Sequence, residues 1–183
     1  MWKIKNKIAN KKGNNMEFIY RQLKKSDMEQ LNKLIDNIEG NLPVKEWWIP
    51  IDDIAREHFF DEEWTYWIGA FSGETLAGAC GLFMNEHEFS EEIMNMGIDS
   101  TKTNVAEIGR CMVNPDFRGN NLMCEINSRL KEVAKSKGIE TIIAVAHPDN
   151  IYSNNSFAKL GASLVCEAVV YNKYPRKLYT IPY

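Results

Sequence analysis

Residues 105–137 contain, in order, an apolar run, a turn, a short polar loop and an amphipathic run. The apolar run at 105–113 is typical of a strand, and the loop at 118–121 (RGNN) leads into a helical pattern that opens at Leu122. The first N–H groups of a helix lack an intrahelical partner and lie at the positive end of the helix dipole. This order predicts either an anion-binding loop or an ordinary turn between a strand and a helix.

The strand-then-helix order recurs at 141–146 and 150–160, which predicts parallel strands with right-handed crossovers. Upstream, two apolar runs at 65–71 and 75–83 flank Ser72-Gly73-Glu74, a hairpin signal. Together they predict a mixed α/β fold with a largely antiparallel central sheet of about six to seven strands and helices on both faces. Further predicted elements are strands at 18–20, 164–171 and 178–181, helical segments at 26–39 and 43–60, and a long connection at 85–104.

Charge divides the 183 residues into a basic N-terminal extension at 1–15 and a single domain at 16–183. The extension holds five Lys and no acid, so the remainder of this chain of net charge −3 carries −8. An acidic domain argues against a nucleic-acid partner, although the extension itself could touch one. We expect a solvated tail, with Met16 as a candidate native start.

The apolar and cysteine patterns restrict the kinds of protein to which this chain can belong. No run of 18 apolar residues exists, and the N-terminus lacks the apolar centre of a secretory signal, so no membrane association is expected. The four cysteines form no CxxC pair, which disfavours a zinc site and makes disulfides unnecessary. We expect a reduced, cytoplasmic protein without a metal.

Four short stretches together resemble the GCN5-related N-acetyltransferase (GNAT) superfamily. They are 107–115 (EIGRCMVNP), 118–123 (RGNNLM), 147–153 (HPDNIYS) and 157–161 (FAKLG). The second falls on the pyrophosphate-binding pattern of that superfamily, Arg/Gln-x-x-Gly-x-Gly/Ala. The resemblance implies a cleft between two splayed strands, and acetyl transfer from acetyl-CoA, as co-substrate, to a primary amine by direct attack in a ternary complex.

The resemblance also implies roles for individual residues. Glu107 would be the catalytic base, although a salt-bridged strand residue is the alternative. His147 is a second candidate base, but its His-Pro context favours a residue that caps the following helix. The implied acetyl-CoA contacts are Cys111, Met112, Val113, Arg118, Gly119, Asn120, Asn121, Leu122, Met123, Asn150, Ser153 and Phe157.

Three departures from the superfamily pattern support a second hypothesis. Asn121 and Met123 replace the two small residues of the pyrophosphate pattern, and Phe157 replaces a tyrosine that can protonate the leaving thiolate. Asn tolerates a positive φ, and Tyr152 lies on the wrong side of the helix to substitute for the tyrosine. The alternative is a catalytically impaired or regulatory CoA-binding module.

The acceptor side is less well defined by sequence. Four aromatic residues could form its pocket or pack in the core, and four glutamates on the long connection could attract a cation or form a solvated helix face. These are Trp47, Trp48, Tyr66 and Trp67, and Glu86, Glu88, Glu91 and Glu92. The amine could belong to a polyamine, an aminoglycoside, an amino acid, a peptide N-terminus or a protein lysine. The apolar C-terminal strands could form a homodimer.

Overall fold

The computed structural model describes residues 4–9, 15–51, 53–86 and 89–183. Its strands are β1 (Ile4–Ala9), β2 (Asn15–Gln22), β3 (Thr65–Ser72), β4 (Thr75–Phe83), β5 (Val105–Val113), β6 (Thr141–Ala146), β7 (Ser163–Val170) and β8 (Tyr174–Ile181). Its helices are α1 (Met28–Gly40), α2 (Asp53–Glu57), α3 (Ser90–Met96), α4 (Leu122–Ser136) and α5 (Ile151–Lys159).

The strands form one sheet in the order β1-β2-β3-β4-β5-β6-β8-β7. Of the strand pairs in the described chain, β5–β6 is parallel and the others are antiparallel. A single crossover through α4 requires this one parallel pair, since a helix carries the chain back to the same end of the sheet. The predicted mixed, largely antiparallel architecture is confirmed.

The sheet contains one strand more than predicted, because the basic extension contributes β1. We expected a solvated tail, but Ile4–Ala9 pairs antiparallel with β2, and Ile4 lies opposite Tyr20. Residues 1–3 and 10–14 of the extension lie outside the described part. The proposed boundary between residues 15 and 16 therefore falls just inside β2.

Helices cover both faces of the sheet, and each face has its own apolar core. On one face α1 buries Leu31, Leu34 and Ile35. On the other, α4 buries Leu122, Ile126 and Leu130 at the three- and four-residue spacing that places side chains on one side of a helix. Each such leucine or isoleucine stabilises the fold by about 1.5–3 kcal/mol.

Two connections differ from the sequence-based expectation. In the described residues of the region 43–60, the helical structure consists of a 3-10 turn (Lys45–Trp47) and α2, since Pro43 and Pro50 restrict the backbone around that turn. The connection 85–104 contains α3, a short helix that ends at Gly97 with a φ of +68°. Within the described residues, no helix combines the length and apolar character needed to cross a bilayer.

Candidate active site

A cleft opens in the sheet where β5 and β6 separate. The two strands pair only from Val105 opposite Thr141 to Glu107 opposite Ile143. On its other side β6 remains paired with β8 as far as Ala146. The edge of β5 that faces β6 is therefore open beyond Glu107, and a cavity of about 470 Å³ lies there.

A bulge in β5 lies at the wall of this cavity. Gly81 pairs with Gly109 and Ala79 with Met112, so Cys80 alone lies opposite both Arg110 and Cys111. Arg110 has a φ of +52°, and its Nη1 donates to the carbonyl oxygen of Ile49 at 2.9 Å. A bulge interrupts the strand ladder and redirects its backbone groups, which is how strands present N–H groups to a ligand.

Glu107 lies at the mouth of the open segment and lines the cavity. Its side chain lies along β5 over Gly109, because a Cβ at residue 109 would come within 2.9 Å of Glu107 Oε1. Gly109 thus leaves the space that the carboxylate occupies. Sequence reasoning had selected Glu107 but had not connected it with this glycine.

The loop before α4 has the conformation that the sequence predicts. Gly119 has a φ of +84° with open space where a Cβ would stand, and Asn121 has a φ of +57°. Asn121 is the N-cap residue of α4, but its side chain does not cap the helix. Asn120 is buried, and its Nδ2 donates to Phe117 O at 2.9 Å, which holds the loop in place. The N-terminus of α4 is consequently open to an anion.

The start of α4 lies beside α5. Cys124 Sγ in the first turn of α4 is 3.4 Å from Ser156 Oγ in α5. Asn150 caps α5 with its own side chain, since its Oδ1 accepts the N–H of Ser153 at 3.2 Å. Because Ser153 and Phe157 of α5 line the cavity, the start of α4 and the cavity are neighbours.

The predicted acetyl-CoA contacts fall into two groups. One group lines the cavity, and the other lies along β5 and at the start of α4. Because Met112 and Leu122 are buried in the core, they can reach a ligand only through their backbone. The cavity group is Cys111, Asn150, Ser153 and Phe157, and the other group is Met112, Val113, Arg118, Gly119, Asn120, Asn121, Leu122 and Met123.

Disulfides were predicted to be unnecessary, but two of the four cysteines are paired. Cys80 and Cys111 form a disulfide across β4 and β5, whereas Cys124 and Cys166 are free. The two partners lie 31 residues apart in sequence, but neighbouring strands bring them together at the bulge. Local spacing could not reveal this pairing.

Two of the four aromatic residues considered for a pocket line the cavity. Trp47 and Trp48 line the cavity, while Trp67 is buried in the core and Tyr66 does not line the cavity. Trp64, which sequence reasoning missed, lines it as well.

Of the four glutamates, only Glu92 lines the cavity, and it is buried in α3. Glu86 is exposed, Glu91 accepts the backbone N–H of Tyr171, and Glu88 lies outside the described residues. Burial raises the pKa of Glu92.

Tyr171 is a cavity residue that the sequence did not predict. It lies in the turn between β7 and β8, where it and Asn172 both have positive φ values, 51° and 53°. Its hydroxyl donates to Glu92 Oε2 at 3.3 Å. Burial, together with the carboxylates of Glu92 and Glu107, raises the pKa of Tyr171, so the hydroxyl stays protonated. A Tyr–Asn pair between apolar runs signals a turn, but not the cavity that its tyrosine faces.

Arg176 in β8 is a further cavity residue that sequence reasoning missed. It is 2% exposed, and its Nη1 and Nη2 donate to the carbonyl oxygens of Pro175 and Glu46 at 2.8 and 2.9 Å. Burial lowers the pKa of this guanidinium, although arginine remains charged under ordinary conditions.

His147 was expected to cap the following helix, but Asn150 caps α5 and His147 bonds within the turn that precedes it. His147 Nδ1 accepts the N–H of Asp149 at 3.1 Å, and its carbonyl oxygen accepts from Asn154. Tyr152 is 67% exposed and packs edge-on against Trp47. Neither residue lines the cavity.

Backbone strain is concentrated at this site. In the described residues, the non-glycine positions with positive φ are Arg110, Asn121, Tyr171 and Asn172. Three of them belong to the bulge, the loop and the cavity wall. Such conformations persist where the surroundings enforce them, and they cluster at functional sites.

Known proteins share both sequence and fold with this chain. The sequence profile described as the acetyltransferase (GNAT) family matches residues 28–162. No curated protein sequence gives a significant match. Among the described residues, no group of three or more His, Cys, Asp or Glu side chains could hold a metal ion.

Solved structures show the same fold at low sequence identity. An N-acetyltransferase from Staphylococcus aureus Mu50 superposes with a TM-score of 0.66 at 15% identity, covering 90% of this chain and 97% of the other. Arabidopsis thaliana NAA60 in complex with acetyl-CoA gives 0.67 at 12%, covering 89% and 97%. YncA from Salmonella typhimurium with its cofactor acetyl-CoA gives 0.68 at 14%, covering 90% and 92%.

Proposed function

This chain belongs to the GNAT family of acetyltransferases, and from that premise we propose that it transfers the acetyl group of acetyl-CoA to a primary amine. The chain is an acyltransferase. We propose in addition that the acceptor is an amine and that it attacks acetyl-CoA directly while both are bound in a ternary complex. The observation that carries it is the gap between β5 and β6, which begins at Glu107 and contains the bulge. The open N-terminus of α4 lies beside this gap.

The residues present fit acetyl-CoA. Backbone N–H groups around residues 118–123 would hold the pyrophosphate, since α4 has no capping side chain and Gly119 leaves open space there. The open edge of β5 at Met112 and Val113 would pair with the pantetheine arm, and Asn150 and Ser153 would contact the arm from α5. Acetyl-CoA supplies the reactive thioester.

The bulge and Glu107 would carry the chemistry. A backbone N–H near the bulge would polarise the thioester carbonyl, in the manner of an oxyanion hole. An acceptor ammonium must first lose a proton, because a lysine-like amine has a pKa of about 10.4. Glu107 would take that proton, directly or through a water. The amine nitrogen then bonds to the carbonyl carbon while the C–S bond breaks.

The leaving thiolate would receive, through a water, the second proton that the attacking nitrogen loses. Phe157 lines the cavity without an acidic hydrogen, and Tyr171 is a poor donor because its pKa is raised. A free thiol has a pKa of about 8.5, so proton transfer from such a tyrosine to a thiolate is unfavourable. We assign Tyr171 to holding Glu92 through its hydrogen bond.

Calorimetric titration tests acetyl-CoA binding first, with acetyl-CoA, dephospho-CoA and pantetheine compared on the full chain. We expect micromolar affinity for acetyl-CoA and far weaker binding of pantetheine, which lacks the pyrophosphate. Absence of acetyl-CoA binding would refute the proposed function. Binding without turnover of any amine in a free-thiol assay would favour the regulatory CoA-binding module.

A Glu107→Gln variant tests the base. Loss of a general base typically lowers turnover by about 10²- to 10⁴-fold. Acetyl-CoA affinity should stay unchanged, because the substitution preserves the shape of the side chain. Glu140→Gln, a matched change at an exposed position between α4 and β6, is the control. Unchanged turnover in Glu107→Gln would disprove the assignment of Glu107.

We also propose that residues 16–183 carry the transferase activity and that β7 mediates a homodimer. β7 is an edge strand, and it exposes Leu164, Val165 and Val169. A chain beginning at Met16 should retain acetyl-CoA affinity by calorimetry. Sedimentation should show a dimer that Val165→Lys dissociates, and a monomeric parent chain would refute the dimer.

A further inference from the structure

Two buried charges of opposite sign line the cavity without pairing with each other. Arg176 and Glu92 are each 2% exposed, and both line the cavity. Within the described residues, no carboxylate lies within the 4.0 Å that defines an ion pair with Arg176. The two charges act on each other only from beyond ion-pair distance, so a ligand group of opposite sign that contacts either of them directly would add a favourable interaction.

Arg176 is positioned to receive an anion. Two of its five N–H donors bond to the carbonyl oxygens of Pro175 and Glu46, and the others have no hydrogen-bond partner in the described structure. The next residue after Glu46 is Trp47, whose Nε1 is buried without a partner and whose side chain lines the cavity. A guanidinium and an indole N–H with unused donors suit a carboxylate.

The same cavity also offers carboxylates to a cation. Glu92 accepts one hydrogen bond from Tyr171, and Glu107 lies at the end of the paired part of β5. Both carboxylates act electrostatically on Arg176, so the opposite charges lie in one neighbourhood. A ligand that carries both an ammonium and a carboxylate would therefore match both signs of charge in this cavity.

Aromatic side chains form an apolar part of the cavity wall. Trp48, Trp64 and Phe83 line the cavity, and none of them carries a charge. Burial of apolar ligand surface against such side chains is favourable at roughly 25 cal/mol per Å². The body of the acceptor should therefore be apolar.

We propose that the acceptor is a free α-amino acid with an apolar side chain, an inference that rests on the proposed function. Its carboxylate binds Arg176 and Trp47 Nε1, and its amino group faces Glu107. Glu107 takes one proton from the ammonium, the amine forms the C–N bond as the thioester C–S bond breaks, and the second proton of the nitrogen passes through a water to the thiolate. A polyamine fits poorly, because it offers no anion to Arg176.

Matched pairs of amines test this proposal on the unmodified chain. L-Phenylalanine and L-leucine are compared with phenethylamine and isoamylamine, which lack only the carboxylate. We expect kcat/KM to be about 10- to 100-fold higher for the amino acids, the range for a charged hydrogen bond. Calorimetry in the presence of CoA should show the same preference in Kd without any turnover.

An Arg176→Met variant tests whether Arg176 causes the preference for amino acids over amines without a carboxylate. It should remove the advantage of L-phenylalanine, mainly through KM, and leave phenethylamine turnover nearly unchanged. The control is Arg129→Met, a half-buried arginine that stacks on Tyr20 in the core face of α4. Acetyl-CoA affinity reports whether each variant is folded, and the wild-type amine pairs decide the question if Arg176→Met does not fold.

Each outcome distinguishes the acceptor class from the proposed function. Equal or better turnover of the decarboxylated amines, or of spermidine, would overturn the amino-acid acceptor and leave the acetyltransferase intact. An Arg176→Met variant that lowers both members of a pair equally would also overturn it. If acetyl-CoA binds and no amine is acetylated, both proposals fail.

Discussion

The two helices that border the cleft begin in opposite ways. α5 closes its own N-terminus, since Asn150 Oδ1 accepts the N–H of Ser153. α4 begins at another asparagine, Asn121, which has a left-handed backbone and whose side chain caps nothing. Helix starts are ordinarily capped by such side chains because the first N–H groups otherwise lack partners. In our proposal the uncapped N–H groups of α4 bind the pyrophosphate, whereas α5 forms a wall of the cleft.

Distorting the loop at the start of α4 should weaken acetyl-CoA binding more than any other change at a helix start. Gly119→Val places a branched side chain at a φ of +84°, which distorts the loop that aims the donors. Loss of charged hydrogen bonds to the pyrophosphate should weaken acetyl-CoA binding by about 10- to 100-fold. Calorimetry measures the affinity, and thermal unfolding measures the accompanying strain.

Gly138→Val is the matched control for this change. Gly138 follows the other end of α4, has a φ of +72° and likewise leaves open space for a Cβ. It should lose comparable stability and keep its acetyl-CoA affinity. Equal loss of affinity in both variants would mean that global strain, and not the open helix start, explains the result.

The start of α1 provides a third arrangement that depends on pH. Asp27 accepts hydrogen bonds from Arg21 at 2.7 and 2.8 Å and from the N–H of Lys24 at 2.8 Å. The Arg21 hydrogen bond, above all, holds the pKa of Asp27 below its usual value. The stabilisation is therefore present above the unfolded pKa, about 3.9, and is lost as the pH falls through the lower folded pKa.

Asp27→Asn should lower the free energy of unfolding at pH 7 by about 1–2 kcal/mol, since Arg21 is partly exposed and solvent screens the pair. Urea unfolding at several pH values measures this. The variant should approach the parent in stability at the acid end. A constant difference at all pH values would exclude the ion pair as the cause.

Opening the start of α5 should affect stability more than binding. Asn150→Ala removes the capping acceptor, which typically lowers the free energy of unfolding by about 1 kcal/mol. Asn155→Ala on the exposed side of the same helix is the control and should be neutral. Urea unfolding compares the two. A neutral Asn150→Ala would show that the Ser153 N–H finds another partner, such as water.

Asparagine-to-aspartate substitutions should distinguish the two helix starts. Asn121→Asp places a negative charge where the pyrophosphate is proposed to bind, and repulsion of about 1 kcal/mol should weaken acetyl-CoA binding about fivefold. Added salt should reduce the effect. Asn150→Asp keeps its acceptor and should change affinity less. Equal effects at both positions would contradict the assignment of the phosphate to α4.

The smallest change in acetyl-CoA affinity should follow from Asn121→Gly, which restores the glycine of the superfamily pattern. Asn already adopts the left-handed conformation at modest cost, so affinity should stay within about twofold. A large gain, measured by calorimetry, would show that the asparagine side chain obstructs the ligand.

Sequence reasoning succeeded where a local pattern determines the structure. The bounds of β5 and β6 and the start of α4 follow from apolar runs that end at turn residues. The positive φ of Asn121 followed from aligning it with a glycine of the superfamily pattern. These features depend on neighbours in the chain, and one sequence contains them.

The missed features depend on contacts between distant segments. Tyr171 and Arg176 enter the cavity because β8 pairs with β6 and carries the β7–β8 turn to the cleft. The Cys80–Cys111 disulfide likewise follows from strand order. β1 was missed because its lysine-rich sequence favoured a tail, although it forms an edge strand, where charged residues are common.

The short parallel seam between β5 and β6 has a consequence for how the protein assembles. β1 to β5 are joined in chain order by antiparallel pairing. β6 joins β5 only after α4 has crossed the sheet, and its other neighbour is β8, which follows β7 in the sequence. Contacts between distant segments require larger loops to close, and they slow folding. We expect the two sides of the cleft to meet late in folding, so that a nascent chain becomes competent for acetyl transfer only after its last strand is in place.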